Sequence, residues 1–426
     1  MLPDRTLARQ IIENLGSYGI PVPRGVSYYD VGNDSLLETL DKHYLSSYLA
    51  DGGGAFKLIV GKYGSGKSHF LYQLQDLAWS RNFAVSMVSL NTKETPYSDH
   101  KLVYRAVATH LTWQYDPTGY KSVSRFVEAA LNALLAEQGF TLSTARDLEA
   151  PQIAALLANF NSIHLDSTSF KSALIRYAEA LFGEATEQRY ALANWLDGAE
   201  MTTNEMRLLR PFGIEKITRN NGFKMLRSLC QTVRALNYTG LALLFDEGDR
   251  LLTGTKRFTR DVADNLREVI DYCREGLPGA LFVYAVPPEF IPQVVDQYQA
   301  LKQRISTPYT FSVANHFSPQ IRLEDLETST EDMLIEMGTK LLPIFELAQG
   351  VKLDEAIQRT NIRILAKAAA DSFYEIHPRR LFVKALISEW GRQLEHGELE
   401  IAPQKAEQLI RGEQAAINDT DQKQDT

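Results

Sequence analysis

The stretch "LIVGKYGSGKSHFLYQL", Leu58 to Leu74, decides the fold. An aliphatic run ends at Gly61, four residues intervene, and Gly66-Lys67-Ser68 follows. Glycines at 61, 64 and 66 let the backbone turn tightly and approach a ligand without Cβ clashes. The N–H groups of such a loop converge on anionic oxygens, and the next helix adds its positive end. A lysine after the last glycine reaches β- and γ-phosphates, and the following hydroxyl ligates Mg²⁺. The expected nucleotide-binding residues are therefore Gly61, Lys62, Tyr63, Gly64, Ser65, Gly66, Lys67, Ser68 and His69, with Lys67 also catalytic and Ser68 a metal ligand.

The flanks agree. Ala55 to Val60 reads as a buried strand, and Phe70, Leu71, Leu74, Leu77 and Ala78 recur at helical spacing. Further strands are expected at Ala84 to Leu90, Thr239 to Phe245 and Ala280 to Val286, with a weaker one at Gln320 to Leu323. Between Ser98 and Asn237 helical patterns dominate, "APQIAALLANF" among them, and no strand is expected. Upstream, a helical pattern breaks at "GIPVPRG", Gly19 to Gly25, where prolines and glycines forbid a continuing helix, and a second runs from Ser35 to Ala50.

Strands separated by helices predict an α/β fold with a parallel sheet. The phosphate loop makes it a P-loop NTPase, with a large helical insertion and a C-terminal helical lid. The expected divisions are 1–54, a helical segment with an adenine-side loop; 55–328, the ATPase core containing the insertion 98–237; 329–395, the lid; and 396–426, a polar, partly disordered tail.

Bulk properties narrow the function. A 44% hydrophobic and 23% charged chain is ordinary for a soluble globular protein. No apolar run reaches the ~18 residues of a membrane span. Cys230 and Cys273 are the only cysteines and form no CxxC, which argues against a zinc site or disulfide framework and suits the cytoplasm. A net charge of −8 gives no sign of a generic polyanion binder.

"LALLFDEGDR", Leu241 to Arg250, carries an apolar run into an acidic pair. Asp246 fits the carboxylate that ends a core strand and holds Mg²⁺, and Glu247 fits the base that deprotonates the attacking water. A solvated acidic turn is the plain alternative; the upstream loop favours chemistry. Tyr284 is the only polar group within "ALFVYAV", so it either positions the lytic water or packs in the core. Arg304, in "QALKQRIS", suits either an arginine finger towards a neighbouring subunit or a surface charge. Arg379 and Arg380 follow Pro378 at a helix start, where cations are disfavoured, which suggests a γ-phosphate contact for one of them. Ile20 and Val22 form either an adenine ledge or simple loop packing.

With these pieces the chain resembles AAA+ ATPases of the initiator-like branch, and more narrowly the BREX-associated P-loop ATPases, BrxD-like proteins of bacterial phage-defence islands. The carrying residues are "RQIIENLGSYGIPVPRG", "GKYGSGKSHFLYQLQDLA", "LLFDEGDRL", "ALKQRI" and "PRRL", over about residues 5–395. The resemblance implies ATP and Mg²⁺ as cofactors and an ATP-driven switch or motor working with helicase or methyltransferase partners. It carries Arg304 to the finger and Arg379 or Arg380 to the lid sensor. The departures are the missing polar residue at the tip of "ALFVYAV" and the long insertion. Open alternatives are an initiator-like, DNA-binding regulatory ATPase and a non-hydrolysing scaffold; a homo-oligomer is compatible with each. No phospho-acceptor pocket is recognisable, which argues against a small-molecule kinase.

Overall fold

The computed structural model describes residues 2–22, 24–62, 65–91, 97–114, 121–137, 139–142, 162–183, 186–252, 254–323, 329–371 and 378–424. The chain divides into two compact units, one of Met1–Leu37, Lys62–Asp76 and Leu323–Thr426, the other of Glu38–Gly61 and Leu77–Arg322.

The larger unit is built on strands β1 (Gly54–Val60), β2 (Phe83–Ser89), β3 (Leu111–Thr112), β4 (Gly240–Asp246), β5 (Ala280–Val286) and β6 (Gln320–Arg322). They form a six-stranded sheet in the order β3-β2-β4-β5-β1-β6. All pairings are parallel except β2 with β3. The continuous aliphatic runs of β1, β4 and β5 are buried at every position, as a parallel sheet covered on both faces requires. The fold class is therefore the α/β one expected. The four stronger strand expectations hold to within a residue at each end, and the weak one becomes β6. The expected absence of strands between 98 and 237 is corrected by β3. This edge strand is held by antiparallel pairing to β2 and by Thr112 Oγ1 donating to Val85 O at 2.8 Å, and two residues are too short to leave a periodic signal. "APQIAALLANF" lies outside the described residues.

The insertion is not appended to this sheet but shares its core. Helices α4 (His100–Thr109), α5 (Val123–Ala136), α6 (Thr168–Leu181), α7 (Glu187–Leu196), α8 (Thr203–Leu209) and α9 (Gly222–Ala235) belong to it. Phe126, Phe170 and Trp195 lie in one apolar cluster with Leu58, Val60, Leu243 and Phe245 of the strands. Trp195 Nε1 donates to Glu215 O at 2.9 Å, satisfying its one polar atom.

The smaller unit is helical. Helix α1 (Arg5–Tyr18) packs against α12 (Thr330–Gln349) and α14 (Pro378–His396); α13 (Glu355–Ala370) and α15 (Pro403–Gln424) complete it. The amphipathic face of α1, with Ala8, Ile11, Ile12 and Leu15, enters the same core as Leu341, Phe345, Phe382 and Trp390. Where the sequence suggested a polar tail, α15 runs over Pro403–Gln424: Ala406 and Ile410 repeat at i, i+4 and are buried against this bundle, too sparse a stripe to stand out.

Within the larger unit, one polar residue breaks the aliphatic run of β1. Lys57 is 2% exposed, and its Nζ donates to Tyr44 Oη at 2.7 Å, Ser318 O at 2.8 Å and His316 O at 3.1 Å. It also lies 4.1 Å from the Tyr44 ring centroid and 4.7 Å from that of Phe311. Burial pushes its pKa down to about 7, while three acceptors that call for three N–H donors oppose that fall. This clamp holds the connection 306–319. Replacing the ammonium, as in Lys57→Met, leaves the Ser318 carbonyl unpaired; urea denaturation is expected to show a loss of about 1–3 kcal/mol, with new protease cleavage between 306 and 319.

Candidate functional site

In the larger unit, the carboxyl ends of the parallel strands share one edge, the place where open α/β sheets bind ligands. Val60 pairs with Val286, and Ser89 with Asp246, so β1, β5, β4 and β2 end together. Gly61, the first residue of the phosphate loop, donates its N–H to Val286 O at 3.2 Å. Asp246 closes β4 and is 7% exposed. Its Oδ1 accepts the Glu247 N–H at 2.8 Å, and its carbonyl accepts Leu90 N–H at 3.0 Å.

Glu247 has φ +57°, a left-handed conformation that an ordinary side chain rarely adopts. Gly248 explains how the turn is seated: a Cβ there would lie 2.4 Å from Ala285 O, so the backbone rests directly on β5. The strained turn projects the Glu247 carboxylate outward. Partial burial, and then the charges of Asp246 and Asp249, hold that carboxyl above the usual range, with Arg250 opposing them. Non-glycine residues in this region cluster at functional sites.

In the smaller unit, helix α3 (Lys67–Ser80) begins at the last glycine of the loop. Tyr63 and Gly64 lie outside the described residues. Ser65 N–H donates to Lys62 O at 3.1 Å, and Lys67 Nζ donates to Lys62 O at 2.8 Å. Ser68 is half-buried in the first turn of α3. Gly66 has φ +90°, and a Cβ built on it would stand 3.0 Å from Arg379 Nη1. Arg379 thus lies over the phosphate loop. Its Nε and Nη2 donate to the thioether of Met333, at 3.2 and 2.6 Å, and its buried Nη1 has no acceptor among the described residues. Ser65 Oγ is likewise buried without a partner among the described residues. Burial lowers the guanidinium pKa, and the charge of Asp30 opposes that fall. Among the described residues no carboxylate is hydrogen-bonded to this guanidinium; Asp30 acts on it only through its charge.

The two arginines at the start of α14 therefore differ. Arg380 Nε donates to Tyr18 O at 3.1 Å, a cation at the carboxyl end of α1, and faces away from Gly66. Arg304, on α11 (Gln299–Ile305), makes a bidentate pair with Asp271, its Nε at 2.7 Å and Nη2 at 2.9 Å from the two oxygens. Tyr284 packs in the core: its ring stacks on Phe245 at 4.6 Å and its hydroxyl is bonded to that of Tyr97. Val22 is buried in the helical core and Ile20 is half exposed.

Sequence reasoning missed what binds the other face of α3. His69 Nε2 is bonded to Asp30 Oδ1, Gln73 Oε1 accepts from Asn33 Nδ2 at 2.7 Å, and Asp76 Oδ2 accepts from Ser27 Oγ at 3.1 Å. Burial raises the Asp76 pKa, and the Ser27 hydrogen bond opposes it. The signal was available: polar residues at 69, 73 and 76 recur at the spacing of one helix face.

Among the described residues, no group of three or more His, Cys, Asp or Glu is arranged to hold a metal alone, and no helix is long and apolar enough to cross a membrane. The family model for the BREX system ATP-binding protein BrxC/D matches residues 4–406, so the chain belongs to that family. No curated protein and no solved structure matches it.

The geometry separates the neighbouring arginines experimentally. Arg379→Ala is expected to weaken ATP binding about 10- to 100-fold, the worth of a hydrogen bond to a charged group. Arg380→Ala should change it less than about twofold. Calorimetric titration of both variants checks this; equal losses would remove the distinction.

Proposed function

We propose that this BREX system ATP-binding protein hydrolyses ATP, and that the nucleotide state of its phosphate loop sets a switch acting on other components of the defence system. The observation that supports the reading is the half-buried Arg379 side chain beside Gly66, whose buried Nη1 has no acceptor among the described residues and suits a phosphate oxygen. In this reading the loop 61–69 cradles the phosphates, Lys67 neutralises the β- and γ-oxygens, and Arg379 contacts the γ-phosphate. Ser68 and Asp246 would hold Mg²⁺, which when bound neutralises charge on the phosphates. The donor set fits that ion: a hydroxyl and one carboxylate suffice where phosphates supply further ligands.

Glu247 takes the proton of the attacking water. Its raised pKa supports this role, since an effective base is poised closer to the working pH. Residues 55–328 do the chemistry, 329–395 form the lid that carries Arg379, and the insertion 98–237 offers a surface to a helicase- or methyltransferase-type partner or to DNA. Turnover by the isolated chain is slow. Tyr284 is taken up by packing, and Arg304 acts as a finger in a homo-oligomer only after Asp271 releases it.

Glu247→Gln should keep ATP binding and lower turnover at least about 100-fold. Lys67→Ala should lose both. A wild-type chain with no ATPase above background, even with partner components and DNA present, would leave only a non-hydrolysing scaffold. The pH profile gives a second check. A base must be ionised, so turnover falls as pH drops through the Glu247 pKa, and the acid limb of kcat should sit above the ~4.3 of a free glutamate.

A further inference from the structure

Asp30 stands where three elements of the smaller unit meet, and the mechanism above does not use it. It is 4% exposed. One carboxylate oxygen is bonded to His69, two residues after Lys67 on α3. Its carbonyl accepts from Lys340 Nζ of α12 at 2.8 Å. The second carboxylate oxygen, Oδ2, is buried without a partner among the described residues. A notional Cβ on Gly32, two residues on, would lie 3.7 Å from Arg379 Nη2, so the guanidinium stands beside the segment that carries Asp30. The Asp30 charge is felt at Arg379, where it favours the ionised guanidinium. A buried carboxylate and a half-buried guanidinium thus share one neighbourhood, each with one buried polar atom unpaired among the described residues.

That arrangement suits an exchange of anions. In the absence of nucleotide, Asp30 is the charge that makes burial of Arg379 tolerable. A phosphate entering over Gly66 brings a stronger anion to the same cation. We propose that Asp30 is a positioning residue, the resident counter-anion of Arg379 that the nucleotide's phosphate supplants, so that the segment 27–33 reports nucleotide state to α3 and α12. The inference rests on the ATP reading above and adds to it a competitor for the sensor arginine.

Asp30→Asn tests it in the full chain, because the amide keeps an acceptor for His69 and the carbonyl for Lys340 while removing the charge. Structural damage weakens binding, whereas removing a competing anion strengthens it. Titration with ATP should show Asp30→Asn binding at least about fivefold more tightly than wild type. The gain should vanish when Arg379→Ala is added. No gain in a folded Asp30→Asn protein, or the same gain with and without Arg379, overturns the proposal while leaving the ATP reading intact. A wild-type chain that binds no ATP overturns both. Should Asp30→Asn fail to fold, amide hydrogen exchange on the wild type decides: ATP must alter exchange over 27–33 as well as over 61–69, and Arg379→Ala must abolish the first change. Exchange over 27–33 that ignores ATP overturns the proposal.

Discussion

A parallel ladder imposes one constraint on which the larger unit depends: every strand must end at the same edge, and every connection must return across a face. The strand that feeds the phosphate loop and the strand that ends in Asp246 are separated by β5, yet their last residues reach a common edge because the register aligns Val60 with Val286 and Ser89 with Asp246. No side-chain recognition is needed to bring Gly61 and the acidic pair to one margin. The local cost is confined to Glu247, whose left-handed backbone is the strain expected where a sharp turn aims a functional group.

The helical unit is organised on a different principle. Its interior is largely apolar, but the neighbourhood of the phosphate loop is deliberately polar and incompletely satisfied. Gln73 and Asn33 complete each other, whereas Ser65 Oγ, Asp30 Oδ2 and Arg379 Nη1 have no partner among the described residues. In a stable bundle such groups are expensive. Others occur elsewhere, Arg227 Nε among them, but Ser65 and Arg379 both adjoin Gly66.

How much of this was legible in the chain depends on the range of the interaction. The four long strands, the loop–helix junction and the helices after Ser329 were readable because they are written as local periodicity. Residue pairings across hundreds of positions were not. Arg379 and Arg380 are adjacent in sequence and equivalent in chemistry; only the packing of α14 sends one to Gly66 and the other to Tyr18. Tyr284, the only polar group within "ALFVYAV", left water positioning and core packing open, and alternation sends its ring to Phe245 and Tyr97. The bidentate partner of Arg304, Asp271, lies 33 residues away, beyond any local pattern. The family match over 4–406 supplies what periodicity cannot, the biological setting, without assigning the arginines.

The placement of α1 has a consequence for biosynthesis. Its buried face, Ala8, Ile11, Ile12 and Leu15, is covered by helices that begin only at Thr330. At ~5–20 residues per second, the ribosome needs on the order of 15–60 s to deliver those partners after α1 has emerged. Through that interval a short amphipathic helix, marginal in isolation, carries an uncovered apolar stripe while the sheet downstream assembles. Closing this gap of more than three hundred residues is the highest-contact-order step in the helical unit, and it makes α1 one of the last elements to be secured.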